Sequence, residues 1–593
     1  MSPASKQTSG QKIFVGIPAS PGIGIGPVIF LDGTDVYVEE RKLRPNEIDA
    51  EIEKFKNALR KTKEELLEIQ KRARANVGEE NAKVFDAHLM ILEDQIILEE
   101  TIRRIREERK NADWIYFQIM RGFHDSMNAG KDEYLRERAL DILDVKRRVI
   151  RNYQGKEACH KSLMKQPGVL VGPQLTPSQI VLLNRRLILG LAIDQGGKTS
   201  HVSILARSFE KPAVVGLKFL SAHAKEGDLI IVDGNSGRVI LRPTERTLKR
   251  YRERQEQYQR FLQELIPLKD QAATTLDGHE IELSANIEFP EEVESVLTHG
   301  ARGVGLYRTE YLYLKRSAFP SEEEQVAEYQ AVAEKLYPQT VILRTFDLGG
   351  DRLLLDGAEY REHNPFLGWR SIRICLDLPD IFKVQLRAIL RASKMGNVKI
   401  MFPMVTSIEE IRRARALLEE AKEELRREKV PFDENIPVGI MIEVPAAAMM
   451  AHEFAREVDF LSIGTNDLVQ YTLAVDRGNE KIASLYTVFH PAVVRLIHET
   501  VKGGHRAGVW VGMCGEMASD PLAIPLLIGL GLDELSVTLP FLSEVKRVIR
   551  SIRFSEAEKL ARRALTYDSA GKIQKYLRRF LRKRLHSEFF SPI

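Results

Sequence analysis

Cysteine and tryptophan are both scarce, three of each in 593 residues. Cys159, Cys375 and Cys514 lie far apart. That scatter excludes a disulfide framework and a paired-cysteine metal motif, and it fits a reducing, cytoplasmic setting. Long apolar runs are missing as well. None reaches the roughly 18 residues a membrane-spanning helix needs, and the opening MSPASKQTSGQK has no apolar core of the kind a signal peptide carries. Neither sign of charge dominates. The 88 Lys and Arg stand against 84 Asp and Glu, a formal net of +4, which is too balanced to argue for a nucleic-acid partner. What the chain does have is length and a hydrophobic fraction of 44%, enough for three or so domains with large cores.

The pattern of residues changes several times along the chain. Residues 1–12 read as a disordered tail. Between 13 and 42, Val, Ile and Gly alternate around prolines, as in strands joined by tight turns. Residues 43–154 turn helical: Phe85, Leu89, Leu92 and Ile96 fall at helical spacing, and DEYLRERALDILDVKRRVIRNY reads as another helix. Strands resume at GVLVGP, so the helices read as an insertion into an α/β domain built from 13–42 and 155–241. The charged stretch that opens the linker 242–272 reads as a solvated connector helix. From 273 to 593 eight strand-like runs alternate with helical segments: ELSANI, GVGLYRTE, VILRTFDL, VKIMFPM, VGIMIEV, FLSIGTND, VWVGMCGE and ELSVT. That rhythm predicts a (β/α)8 barrel.

Two places concentrate chemistry. The first is GGKTSHVSILARSFEKPAVVG, 196–216, where His201 follows Lys198 and Thr199 at the start of an apolar helix. A turn opening a helix offers N–H groups to a phosphate, and an imidazole there can carry one covalently. A competing reading exists. AIDQGGKT resembles a phosphate-binding P-loop with Ala192 in place of its first Gly, and LIIVD at 229–233 imitates the acidic strand that accompanies one. The missing Gly and the short spacing argue against that nucleotidase. A regulatory scaffold with no catalysis is the third alternative.

The second place is the set of strand ends in the expected barrel, where such folds do chemistry. They carry Arg308 and Glu310, Arg344 and Asp347, Glu443, Asn466 and Asp467, and Cys514 and Glu516. Arg477 lies just past the sixth strand, and NPFLGWRSIR adds Arg370. Several guanidinium forks suit a small polyanion. Glu443 and Asp467, ending neighbouring strands, suit Mg2+ shared with substrate oxygens. The barrel therefore reads as a site for a phosphorylated carboxylic acid with Mg2+.

With these residues in view, the chain resembles enzyme I of the phosphoenolpyruvate-dependent sugar phosphotransferase system, the phosphoenolpyruvate–protein phosphotransferases. GGKTSHVSILARS, GVGLYRTEYL, RTFDLGGD, NPFLGWRSIR, IEVPAAA, IGTNDLVQYTLAVDR and GMCGEMA run in that family's order over nearly the whole chain. The resemblance implies a multidomain α/β protein: a swivelling phosphohistidine domain, an inserted helical domain that docks the phosphocarrier protein HPr, and a barrel that binds phosphoenolpyruvate and dimerises. It implies that His201 is the phosphorylated nucleophile and that Arg308, Arg344, Asn466, Asp467 and Arg477 hold phosphoenolpyruvate. Glu443 and Asp467 would bind Mg2+, and Cys514 would protonate the departing enolate. Arg370, Thr199, Lys198 and Glu516 are further candidates. Three positions depart from the family pattern: Ile180 where a Thr is common, Lys198 for an Arg and Arg352 for a Lys. Relatives that also need an ATP-grasp domain are not expected in this length, and with only about a dozen residues before the first strand the form with an N-terminal sensory domain is not expected either. The basic stretch KIQKYLRRFLRKRLHSEFF is expected to end the eighth barrel helix with a solvated basic face, not to lie on a membrane. His201 must serve both the barrel and the docking domain, so a large domain movement is expected.

Overall fold

The computed structural model describes residues 10–30, 38–77, 84–129, 133–155, 166–175, 183, 185–196, 206, 209, 211–314, 319–349, 354–355, 358–359, 362–476, 479, 481–482 and 485–585. The chain forms two compact units, one through Gln259 and one from Arg260 to Pro592.

The first unit contains an eight-stranded sheet. Its strands are β1 (Lys12–Val15), β2 (Ile17–Ser20), β3 (Ile23–Phe30), β4 (Gly168–Gly172), β5 (Ile188–Ile193), β6 (Ala213–Val215), β7 (Leu229–Asp233) and β8 (Arg238–Leu241), in the order β1-β8-β7-β3-β4-β5-β6-β2. Between β3 and β4 the chain leaves the sheet, builds helices Ile48–Val77, Val84–Leu92, Gln95–Glu108, Ala112–Ala129 and Glu133–Tyr153, and returns. It returns next to where it left, with Val28 paired to Val169 and Phe30 to Val171 in parallel. The helices close over a core of their own that includes Phe55, Leu66, Phe85, Ile115, Tyr116 and Val145.

Two sequence readings need correction here. Ile96 does not continue the face of Phe85 and Leu92; it is exposed. The helix stops at Leu92, and the Asp94 side chain caps a new one by accepting from the N–H groups of Ile96 and Ile97. A capping carboxylate satisfies the orphan donors of a helix start, so the apolar period is reset there. The helix Glu245–Leu265 is also more than a solvated rod. Tyr251 is buried against Ile23, Ile231 and Ile240, and Arg254 pairs with Asp233 at 3.1 Å. That pairing bears on the P-loop reading too. β7, the LIIVD strand, is antiparallel to both its neighbours, and its Asp233 is spent on Arg254 and on the N–H groups of Asn235 and Ser236.

In the second unit β9 (Glu282–Ile287), β10 (Gly303–Arg308), β11 (Thr340–Arg344), β14 (Val398–Phe402), β15 (Val438–Ile442), β16 (Phe460–Ile463), β17 (Trp510–Met513) and β18 (Glu534–Thr538) close into a parallel barrel. A small antiparallel ribbon, β12 (Leu354–Leu355) and β13 (Ala358–Glu359), stands outside it. Every expected strand is present. The reason is burial on both faces, which makes barrel strands near-continuous apolar runs. Outer helices begin at sequence-encoded caps: the Ser321 and Ser407 hydroxyls each form a capping box, with Glu324 and Glu410. The barrel lumen holds Leu306, Ile342, Met401, Met441, Phe460 and Cys514. The eighth helix is Leu542–Arg550, and two more follow, Phe554–Ala564 and Ala570–Arg582. The basic stretch is thus the third helix after β18 and not the end of the eighth. It buries Ile573, Leu577 and Leu581 and leaves Lys572, Lys575, Arg579 and Arg582 exposed.

Candidate active site

The C-terminal ends of the barrel strands bring the expected residues to one mouth. Arg344, the last residue of β11, is buried; its Nη2 donates to Glu310 Oε1 at 2.6 Å and its Nη1 lies 2.9 Å from Asp347 Oδ2. Its Nε is buried with no hydrogen-bond partner among the described residues. A buried donor without an acceptor is destabilising by about 1–3 kcal/mol, so this N–H is a donor open to an acceptor that the described residues do not supply. Arg370 donates through Nη2 to the other oxygen of Asp347 at 2.7 Å and through Nη1 to the Tyr471 hydroxyl at 3.1 Å. That Nη1 is also 3.6 Å from Asp467 Oδ1. Arg308 ends β10, half-buried, and pairs with Glu288.

The charges sort into two groups. Asp347 is buried, which alone would raise its pKa, but Arg344, Arg370 and the Ser371 hydroxyl hold it well below the usual carboxylate range. Glu310 and Glu443 go the other way. Burial raises both; Asp347 adds to the rise at Glu310, and Asp467 and Asp347 add to it at Glu443. Glu443, just past β15, accepts a hydrogen bond from the Met404 N–H at 2.6 Å. Met404 adopts a left-handed backbone, φ 58°, to aim that N–H. A side chain other than Gly in that region is strained by about 1–2 kcal/mol, so the orientation of Glu443 is imposed by its surroundings.

Asn466 and Asp467 sit in the first turn of helix Thr465–Leu473, whose N-terminus favours an anion. Asn466 exchanges two hydrogen bonds with Glu516: its Nδ2 donates to Oε1 at 3.3 Å, and the Glu516 N–H donates to its Oδ1 at 2.9 Å. Cys514 is buried at the top of the lumen, its N–H bonded to the Ile463 carbonyl at 3.1 Å. Burial pushes its thiol up to about 11 against the pull of Ser462 and Arg344, so it carries its proton at neutral pH. Cys375 is buried among apolar side chains under the barrel helices, as a small hydrophobe.

The structure therefore places Arg308, Arg344, Glu443, Asn466, Asp467, Cys514 and Glu516 at or just past strand ends and brings Arg370 to them from the loop before helix Ile372–Asp377. His201, Thr199, Lys198, Ile180, Arg352, Arg477 and Cys159 lie outside the described residues. The sequence reading missed one contributor, Tyr471, and the role of another, Asp347. Asp347 was visible at a strand end but not as the joint between two arginines. Tyr471 stands four residues after Asp467 on one helix face, a spacing that could have flagged it.

Such a mouth, arginine forks beside paired carboxylates and a protonated thiol, has the chemistry to suit a small phosphorylated carboxylate. The comparisons agree. Residues 263–554 match the family described as PEP-utilising enzyme, PEP-binding domain; residues 15–138 match its N-terminal domain and 164–237 its mobile domain. The chain is 43% identical over 569 residues to the phosphoenolpyruvate-protein phosphotransferase of Bacillus sp. (strain S), covering 96% of this chain and 98% of that protein. It is 44% identical over 552 residues to the protein of that name in Staphylococcus carnosus (strain TM300), covering 93% and 96%. A solution structure of enzyme I is 38% identical and covers 42% of this chain and 99% of its own, with a TM-score of 0.36. The chain belongs to the phosphoenolpyruvate–protein phosphotransferase family and is an enzyme of that class.

Proposed function

We propose that the chain takes the phosphoryl group of phosphoenolpyruvate onto His201, releases pyruvate, and passes the phosphoryl group to a histidine of HPr in the cytoplasm. The observation that carries this reading is the barrel mouth, where Arg344, its buried Nε without a partner among the described residues, neighbours a buried thiol that still holds its proton. Arg344 and Arg308 hold the phosphate and carboxylate, with Asn466 and Arg477 completing the grip. The His201 imidazole nitrogen attacks phosphorus, the phosphorus–oxygen bond breaks, and the enolate left behind takes the Cys514 proton at its methylene carbon. Glu443 and Asp467 fit Mg2+. Their carboxylates repel one another in a buried setting, which raises Glu443, and a dication relieves that. When bound, Mg2+ would neutralise negative charge on the substrate oxygens.

Delivery requires His201 to serve two sites in turn, in keeping with the mobile-domain description of residues 164–237. The barrel is proposed to dimerise, and sedimentation at micromolar concentration should show the dimer. The reading is tested by incubating the chain with radiolabelled phosphoenolpyruvate and Mg2+, then adding HPr. Label should enter the chain as pyruvate appears and then move to HPr. Pyruvate release with no transferable label would sink it.

A further inference from the structure

Below Cys514 the barrel is not filled by hydrocarbon alone. Glu534, the first residue of β18, is buried, and its Oε2 has no hydrogen-bond partner among the described residues. Space for its carboxyl comes from two glycines of the lumen. A Cβ placed on Gly305 would lie 2.4 Å from Glu534 Oε1, and one on Gly512 would lie 2.6 Å from Oε2. The register puts Ser462, Gly512 and Glu534 in one tier across β16, β17 and β18. Gly512 therefore leaves open the gap between the Ser462 hydroxyl and the Glu534 carboxyl. Cys514 lies two residues on from Gly512 and its thiol donates to the Ile463 carbonyl at 3.8 Å, while the buried Ser462 hydroxyl, near enough to influence that thiol, has no hydrogen-bond partner among the described residues. On the other side Ser536 donates to Asn286 at 2.7 Å, and Asn286 donates to the Cys514 carbonyl at 3.0 Å.

A thiol that gives its proton to a substrate carbon must regain one before the next turnover. We propose that Glu534 is the proton store for Cys514: its carboxylic acid reprotonates the Cys514 thiolate by way of the Ser462 hydroxyl. The step rests on the reading of Cys514 as proton donor. It balances simply. The O–H bond of Glu534 breaks, the S–H bond of Cys514 forms, and Glu534 is left as a carboxylate that regains its proton from water at the β9 end of the barrel, where Glu282 is exposed. Glu534 suits that task, because burial and the neighbouring Glu282 push its pKa up to about 7 while Ser284 and Lys399 pull against them. The ionisable groups facing it are Glu282 on β9, Lys399 on β14 and Cys514 after β17; β10 brings Gly305, and β16 brings Ser462 and Phe460. The thiol itself also faces Arg344 and Glu443. Glu534 does not touch substrate, so it acts as a positioning residue for the proton that Cys514 delivers.

Two exchanges separate this role from a structural one. Transfer of radiolabel from pyruvate into phosphoenolpyruvate needs no new proton, because the thiolate can take back the proton it gave. Incorporation of deuterium from heavy water into the pyruvate methyl group requires the thiol to be refilled. Glu534→Gln should lower deuterium incorporation relative to label exchange by at least about tenfold. An unchanged ratio overturns the proposal, whether both rates are intact or both have fallen. If Glu534→Gln does not fold, the unmodified enzyme supplies the test. The same ratio should fall as pH rises through about 7, where the store empties, and a flat ratio across neutrality overturns the proposal. Cys514→Ala run alongside tells the two readings apart. If it leaves both exchanges intact, the assignment of Cys514 fails and the store fails with it. If Cys514→Ala stops both while Glu534→Gln leaves the ratio unchanged, only the store fails.

Discussion

Replacing Arg344 by Lys tests whether its guanidinium fork, and not its charge, holds the substrate. Arg344 now spreads three donors over three directions: Glu310 at 2.6 Å, Asp347 at 2.9 Å, and the unfilled Nε. A Lys keeps the positive charge as a single point and cannot bridge both carboxylates while reaching an anion. The fold should tolerate the change. Asp347 keeps Arg370 and Ser371, and Glu310 can protonate, since burial already raises its pKa. The substrate, by contrast, loses one charge-assisted hydrogen bond, about 1.5–3 kcal/mol. At 1.4 kcal/mol per tenfold, kcat/KM for phosphoenolpyruvate should fall roughly 10- to 150-fold, read from pyruvate release. The urea midpoint should move little. A kcat/KM within about twofold of the unmodified enzyme, with the fold intact, would refute the placing of that fork on the substrate.

Three further changes probe other parts of the account. Gly464→Ala puts a methyl 2.8 Å from Met441 Sδ and 3.0 Å from Glu443 Oε2, so Glu443 must shift. The Mg2+ concentration that half-activates pyruvate release should rise by about tenfold or more, and a superimposable titration would contradict the metal assignment. Tyr329→Phe removes a buried hydroxyl that donates to Gln325 at 3.2 Å and accepts from Gln385 at 3.3 Å. The barrel should lose about 1–2 kcal/mol in urea unfolding, with no loss expected only if the hydroxyl is superfluous. Asp277 is held below the ordinary carboxylate range, chiefly by the Phe554 N–H, with help from Thr275 and the Ser555 N–H. A depressed native pKa contributes stability above the unfolded value of about 3.9, lost as pH falls through the native one. Asp277→Ala should therefore lower the Tm near neutrality, and the gap should narrow in acid; a gap that widens there would contradict the assignment.

The barrel was legible because each of its strands is an apolar run that ends in polar residues. A buried parallel strand has no alternative pattern to adopt. The strand-end residues were legible for the same reason: ELSANI or VGIMIEV fixes where the mouth must be. The joint between Arg344 and Arg370 was not. It depends on a bridge between Gly349 and Arg370 that no local period announces. Met404 was equally silent, since nothing marks it for a left-handed backbone. Ile96 misled because three residues at helical spacing resemble a continuing face, whereas one Asp at a cap is enough to restart the helix. In Glu245–Leu265 the abundance of charge hid Tyr251, a single side chain that docks the helix on its sheet.

The central claim is that phosphoenolpyruvate phosphorylates one imidazole, and mapping that label tests it most directly. Unmodified chain and His201→Ala are each incubated with radiolabelled phosphoenolpyruvate and Mg2+, and the labelled peptide is sequenced. The account predicts a single acid-labile, base-stable label on the peptide containing His201, absent from a His201→Ala protein whose circular dichroism is unchanged. Label retained by His201→Ala, or tight ATP binding through Lys198 with no label from phosphoenolpyruvate, would contradict it.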